Sequence, residues 1–148
     1  MKSSKLTNLE IIVVDDDRIV CLLHKNELKA AKIQQPLIFC GNGKEALEYL
    51  QKRVNSGLIF LVLLDLNMPY LNGWEFLDNL EARNDLPETH VVVVTSSIFE
   101  KDAKKAQHYQ WVKGFYHKPL KAADVQEIKN LEYLKVFFEI TEPVKKTV

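Results

Sequence analysis

Three stretches of this chain are apolar without interruption: IIVV at residues 11–14, LIFLVLL at 58–64 and VVVV at 91–94. A strand with one wet face alternates apolar and polar residues, because successive side chains point to opposite sides. These runs do not alternate, so both of their faces have to be covered. That is the condition of strands inside a parallel sheet flanked by helices. Two shorter runs, Leu37–Cys40 and Phe115–Tyr116, bring the set to five.

Between the runs lie apolar residues at helical spacing. Ile19, Leu22, Leu23, Leu28 and Ala31 form one group, Ala46, Leu47 and Leu50 a second, and Trp74, Leu77 and Leu80 a third. Ala103 and Ala106 mark a fourth helix, and Val125, Ile128, Leu131 and Leu134 a fifth and last. Asn42-Gly43, Asn72-Gly73 and Lys113-Gly114 are turn-forming pairs at the joins. Strands and helices in strict alternation need crossover connections of one hand, which leaves few topologies. The expected fold class is α/β: a flavodoxin-like, doubly wound five-stranded parallel sheet, strand order 2-1-3-4-5, helices on both faces.

In that order strands 1 and 3 are neighbours at the point where the winding reverses, and ligands bind there beyond the strands' carboxyl ends. Strand 1 runs into Asp15-Asp16-Asp17 and strand 3 into Asp65. Ionised carboxylates about 5 Å apart repel by roughly 3 kcal/mol per pair at an effective dielectric near 20. Such a cluster persists only with a proton or a cation among its oxygens. A small, partly open site of hard oxygens suits Mg²⁺, with Mn²⁺ as the stand-in of like preference. Thr95 closes the fourth strand and Lys118 the fifth, so both can reach over Asp65. Three carboxylates, one Mg²⁺ and one lysine sum to zero charge. Asp17 is read differently, as the start of the helix that follows.

The motifs IIVVDDD, LLDLNMP, VVVVTSS and FYHKP, in this order and spacing, resemble the receiver domain of two-component response regulators over about residues 9–135. The form LDLNMPYLNGWEFL is similar to small stand-alone receivers of the chemotaxis type. The resemblance implies that Asp65 accepts a phosphoryl group from a phosphohistidine, carried by a sensor histidine kinase or a histidine phosphotransfer protein. It implies that Asp16 binds Mg²⁺ directly, Asp15 largely through water, and Asn67 through its backbone carbonyl. Lys118 would pair with Asp65 and then with the phosphoryl oxygens. Thr95 would donate to the phosphoryl group, and its movement would let Phe115 turn inward as a switch. The Lys118-Pro119 bond would be cis. Phe115 departs from the tyrosine of many receivers, which puts a polar readout through that side chain in doubt. Asn67 and Ser97 resemble positions that tune phosphoryl lifetime in the family.

Residues 9–138 are read as the receiver domain, 1–8 as an N-terminal extension and 139–148 as a tail. The few residues after the last helix leave no room for an output domain, so output is expected through a downstream protein target or phosphorelay. Residues 99–134 are the expected contact surface. The segment VFFEI is expected to pack on the domain's own flank, with a homodimer as the alternative. A degenerate receiver scaffold and an aspartate-nucleophile phosphatase are competing functions. The phosphatase usually carries a second Asp two positions on, where this chain has Asn67.

A formal net charge of +0 gives no electrostatic pull toward nucleic acid or an anionic membrane. No run approaches the roughly 20 apolar residues of a bilayer span, and the N-terminus lacks a secretory apolar region. A cytoplasmic location is expected. Cys21 and Cys40 are read as small buried apolar residues, and His24, His90, His108 and His117 form no metal pattern. GNGKEA at 41–46 lacks the Ser/Thr and the upstream glycine of a phosphate-binding loop, and is read as a strand-to-helix turn.

Overall fold

The computed structural model describes residues 8–141. Its strands are β1 (Leu9–Val14), β2 (Leu37–Cys40), β3 (Ile59–Leu64), β4 (Thr89–Thr95) and β5 (Val112–His117). All pair in parallel, in the order β2-β1-β3-β4-β5. The helices are α1 (Arg18–Ala30), α2 (Gly43–Gln51), α3 (Gly73–Ala82), α4 (Glu100–Ala106), α5 (Ala122–Lys129) and α6 (Lys135–Thr141). Among the described residues none is long and apolar enough to cross a membrane.

The unbroken apolar runs occupy the three central positions, as expected. In β1, β3 and β4 nearly every residue is buried, whereas the edge strands β2 and β5 are largely half-exposed. Alternate side chains feed two cores. Ile12, Val14, Val62, Leu64, Val91 and Val93 meet α2, α3 and Ala106 of α4 on one face. Ile11, Val13, Leu61, Leu63, Val92 and Val94 meet Leu28 of α1, Val125 and Ile128 of α5, and Phe137 and Phe138 of α6 on the other.

Two expectations need correction. The last helix is not continuous: α5 stops at Lys129, a turn spans Asn130 to Leu134, and α6 follows. Apolar residues three apart drift around an α-helix, so nine residues on, at Leu134, the side chain faces about 180° away from Val125. Both are buried, which requires the break. α6 then buries Phe137 and Phe138, the part of VFFEI that meets the expectation, while Val136 is exposed, and the helix runs past residue 138 to Thr141. The other correction concerns α1. The helix is where the spacing placed it, but Ile19, Leu22 and Leu23 are exposed, Ile19 at 71%. The inward face is carried by His24 and Leu28, one turn apart, with half-buried Cys21 above them.

Candidate functional site

Register brings the acids together. Val14 pairs with Leu64, so Asp15 and Asp65 leave neighbouring strands side by side, and the Asp65 amide still donates to the Val14 carbonyl at 3.0 Å. The chain then turns away at once on both strands. After β1, Asp17 caps α1: its carboxylate accepts from the amides of Ile19 and Val20, which is the helix-start role read from the sequence. After β3, the chain loops through Tyr70, at φ 66°, to α3, where Asn72 and Glu75 form a capping box. Gly73 lies against the back of Asp65. A Cβ there would stand 2.4 Å from the Asp65 carbonyl oxygen, so only glycine fits. Its turn role was legible in Asn72-Gly73; its support of Asp65 was not.

One oxygen from each of Asp15, Asp16 and Asp65 lies within 4.8 Å of the others. Asp15 and Asp65 are buried and Asp16 is exposed, so the cluster has one open side. Lys118 bridges the buried pair, its Nζ 2.8 Å from Asp15 Oδ2 and 3.0 Å from Asp65 Oδ2. Burial pushes the Asp65 carboxyl above its ordinary range; the Lys118 hydrogen bond opposes this and the Asp15 charge adds to it. For Lys118, burial works against the charged form, but hydrogen bonds to both acids outweigh it and the ammonium is held above its usual value. Two acids thus share one cation, and the cluster as a whole carries three carboxylates against one ammonium. The charge deficit of two and the all-oxygen donor set fit a hard divalent cation such as Mg²⁺. Asp15, Asp16 and Asp65 are the residues that would hold it. Among the described residues this is the one group of His, Cys, Asp and Glu side chains close enough to do so.

The remaining predicted residues sit around this cluster without all pointing into it. Thr95 is fully buried at the end of β4; its carbonyl accepts from the Lys118 amide at 2.9 Å, and its hydroxyl accepts from the Ser97 amide at 3.3 Å. Ser97 in turn donates to Asp102 of α4. Asn67 is exposed, and its amide points back at Asp65 Oδ1 from 3.4 Å. Phe115 is half-buried on β5, edge-on to His117 at 6.2 Å. The Lys118-Pro119 bond is cis.

A cleft of about 580 Å³ opens beside the cluster, lined by Asp15, Asp16, Leu22, Phe39, Cys40 and Tyr70 among others. Cys40 is buried as expected and its thiol is pushed up to about 11, chiefly by burial, so it is no nucleophile at neutral pH. Cys21 is only half-buried, and burial raises its thiol as well.

Residues 11–130 match the sequence profile of the response regulator receiver domain. The response regulator Rcp1 of Synechocystis sp. is 36% identical over 62% of this chain and 65% of its own length, just under two thirds. The probable methanogenesis regulatory protein FilR2 of Methanothrix harundinacea is 32% identical over 81% of this chain and 86% of its own. A two-component response regulator from Cytophaga hutchinsonii superposes with a TM-score of 0.75 at 25% identity, over 89% of this chain and 98% of that one.

Proposed function

This chain belongs to the response regulator receiver domain family, and from that premise we propose that it accepts a phosphoryl group on Asp65 from a phosphohistidine. The donor is a histidine kinase or a histidine phosphotransfer protein, and the phosphorylated chain acts in the cytoplasm through a protein target or onward relay. The proposed receiver unit is residues 9–138. The observation that carries the reading is the shared ammonium. Asp65 is 2% exposed, close to two other carboxylates, and Lys118 is placed to meet new negative charge there.

The chemistry is an in-line displacement. An Asp65 carboxylate oxygen forms the bond to phosphorus while the phosphorus–nitrogen bond of the donor breaks, and the imidazole leaves with the electron pair and takes up a proton. A Mg²⁺ ion held by Asp15, Asp16, Asp65 and the Asn67 carbonyl would supply charge neutralisation. The chain's own residues do the rest. Lys118 follows the phosphoryl oxygens, since Asp15 and Asp65 already hold its ammonium in place. Thr95 gives up the Ser97 amide and donates its hydroxyl to the phosphoryl group, and half-buried Phe115 moves inward into the space vacated. Exposed Leu22 and Tyr70 at the cleft, with Ile19 one turn up α1, offer the donor an apolar rim. Phe99 and residues on to 134 are the proposed output surface. The Asn67 carboxamide is not acidic enough to protonate a leaving group, so the phosphatase alternative gains nothing from the geometry.

Intact-mass measurement with acetyl phosphate tests the reading. Wild type gains one phosphoryl group in Mg²⁺ and none in EDTA, and Asp65→Asn gains none in either. Uptake by Asp65→Asn would overturn it.

A further inference from the structure

His24 is a buried side chain that the phosphoryl chemistry does not use. It faces inward from α1, 2% exposed, with its Nε2 3.2 Å from the backbone nitrogen of Leu120. A backbone N–H can only donate, so Nε2 accepts and the ring proton sits on Nδ1. That Nδ1 is buried with no hydrogen-bond partner among the described residues. Burial also pushes the ring below its ordinary range, in keeping with a neutral imidazole. An aliphatic side chain would remove the unpaired Nδ1–H but would leave the buried Leu120 N–H without an acceptor. The ring is therefore explained by the acceptor it offers to Leu120.

Leu120 closes the short segment that carries the site lysine. Lys118 donates its amide to the Thr95 carbonyl at 2.9 Å, and Pro119 has no N–H, so the next donor along the chain is Leu120. The segment is pinned on one side to β4 and on the other to α1. α1 itself starts just after Asp15 and Asp16. His24 thus ties the element that follows the acidic pair to the loop that presents the ammonium between Asp15 and Asp65.

We propose that His24 is a positioning residue for phosphoryl transfer, holding the Lys118-Pro119-Leu120 segment so that the lysine meets Asp65. The inference rests on Asp65 being the acceptor. Because positioning errors of about 1 Å can cost as much as 100-fold in rate, its loss reads out in kinetics before it reads out in folding.

The test compares full-length wild type, His24→Leu, His24→Gln and His24→Asn for the rate of phosphoryl gain from acetyl phosphate in Mg²⁺, with melting temperature measured alongside. His24→Leu keeps the packing and loses the acceptor. It is expected to react about tenfold more slowly with a melting temperature close to that of wild type, because the unpaired Leu120 N–H it creates replaces the unpaired Nδ1–H it removes. Gln can place its amide oxygen near the position of Nε2, and restores the rate to within about threefold. Asn is too short to reach Leu120 and stays slow; with Gln it decides the matter if the Leu variant does not fold. Wild-type rates in Leu and Asn, or equal slowing in all three variants, overturn the proposal. So does a rate loss in Leu that falls in step with its melting temperature. A wild-type chain that gains no phosphoryl overturns the acceptor reading and this inference with it, whereas normal wild-type uptake with unaffected variants overturns this inference alone.

Discussion

Asp15 and Asp65 both end a buried strand and both touch Lys118, yet their carboxylates are held differently. At the end of β1, Asp15 Oδ1 accepts from the Asp17 amide at 2.8 Å while Oδ2 takes Lys118 at 2.8 Å. At the end of β3, among the described residues, Asp65 Oδ1 meets only the Asn67 amide, at 3.4 Å, and Oδ2 takes Lys118 at 3.0 Å. One acid is committed to turning the chain into α1. The other keeps its lone pairs loosely engaged while burial raises its basicity. A carboxylate that serves as nucleophile needs the second condition, and one that anchors a cation tolerates the first. The same residue type at the same place on adjacent strands thus meets two different sets of hydrogen bonds, and the proposed division of roles rests on that difference.

Several substitutions sharpen or break this contrast. Asp65→Asn removes the proposed acceptor and is expected to abolish phosphoryl gain, whereas Asp15→Asn keeps it and is expected to slow the gain by roughly 10–100-fold, the scale of losing support around a metal. Equal, complete loss in both, read by intact mass at several Mg²⁺ concentrations, would erase the distinction. Behind the acids, Gly73→Ala drives a methyl group into the Asp65 carbonyl and is expected to cost about 1–3 kcal/mol in urea unfolding while slowing phosphorylation. On the β1 side the matching change, Asp17→Ala, loses the α1 cap and costs about 1 kcal/mol, with a smaller effect on the reaction.

A pH series gives the smallest signal and the cleanest sign. The folded Asp65 carboxyl titrates above its unfolded counterpart, so the folded state binds more protons between the two values. Stability from this group is full below the unfolded pKa of about 3.9 and falls as pH rises through the folded one. In EDTA, wild type is expected to lose more stability than Asp65→Asn between about pH 4 and pH 7, read as urea midpoints. Parallel curves would mean that burial does not penalise the ionised form.

Much of this was legible because strand burial writes itself into composition. The runs at 11–14, 58–64 and 91–94 marked three central strands, and the acidic ends of the first two marked the candidate site. Asp17 marked a helix start, and Asn42-Gly43 and Asn72-Gly73 marked joins at which both asparagines cap the helix that follows. Helix faces were less legible. Ile19, Leu22 and Leu23 look like a core stripe, but the buried face belongs to His24 and Leu28, since what a helix turns inward is set by its docking on the sheet. The steps of three from Val125 to Leu134 did hold the signal for a break, as a straight helix cannot bury residues that drift around its axis. His24 and Gly73 carried no sequence signal of their role. Each acts through the backbone of a residue distant in sequence or beyond a turn, Leu120 and Asp65 respectively.

The most direct test locates the phosphoryl group. After reaction with acetyl phosphate in Mg²⁺, borohydride reduces an acyl phosphate to a stable hydroxyl, and peptide sequencing by mass spectrometry finds it. The account predicts the mark on Asp65 alone, in the peptide containing LLDLNMP. A mark on Asp15 or Asp16, or one shared among the acids, would contradict it.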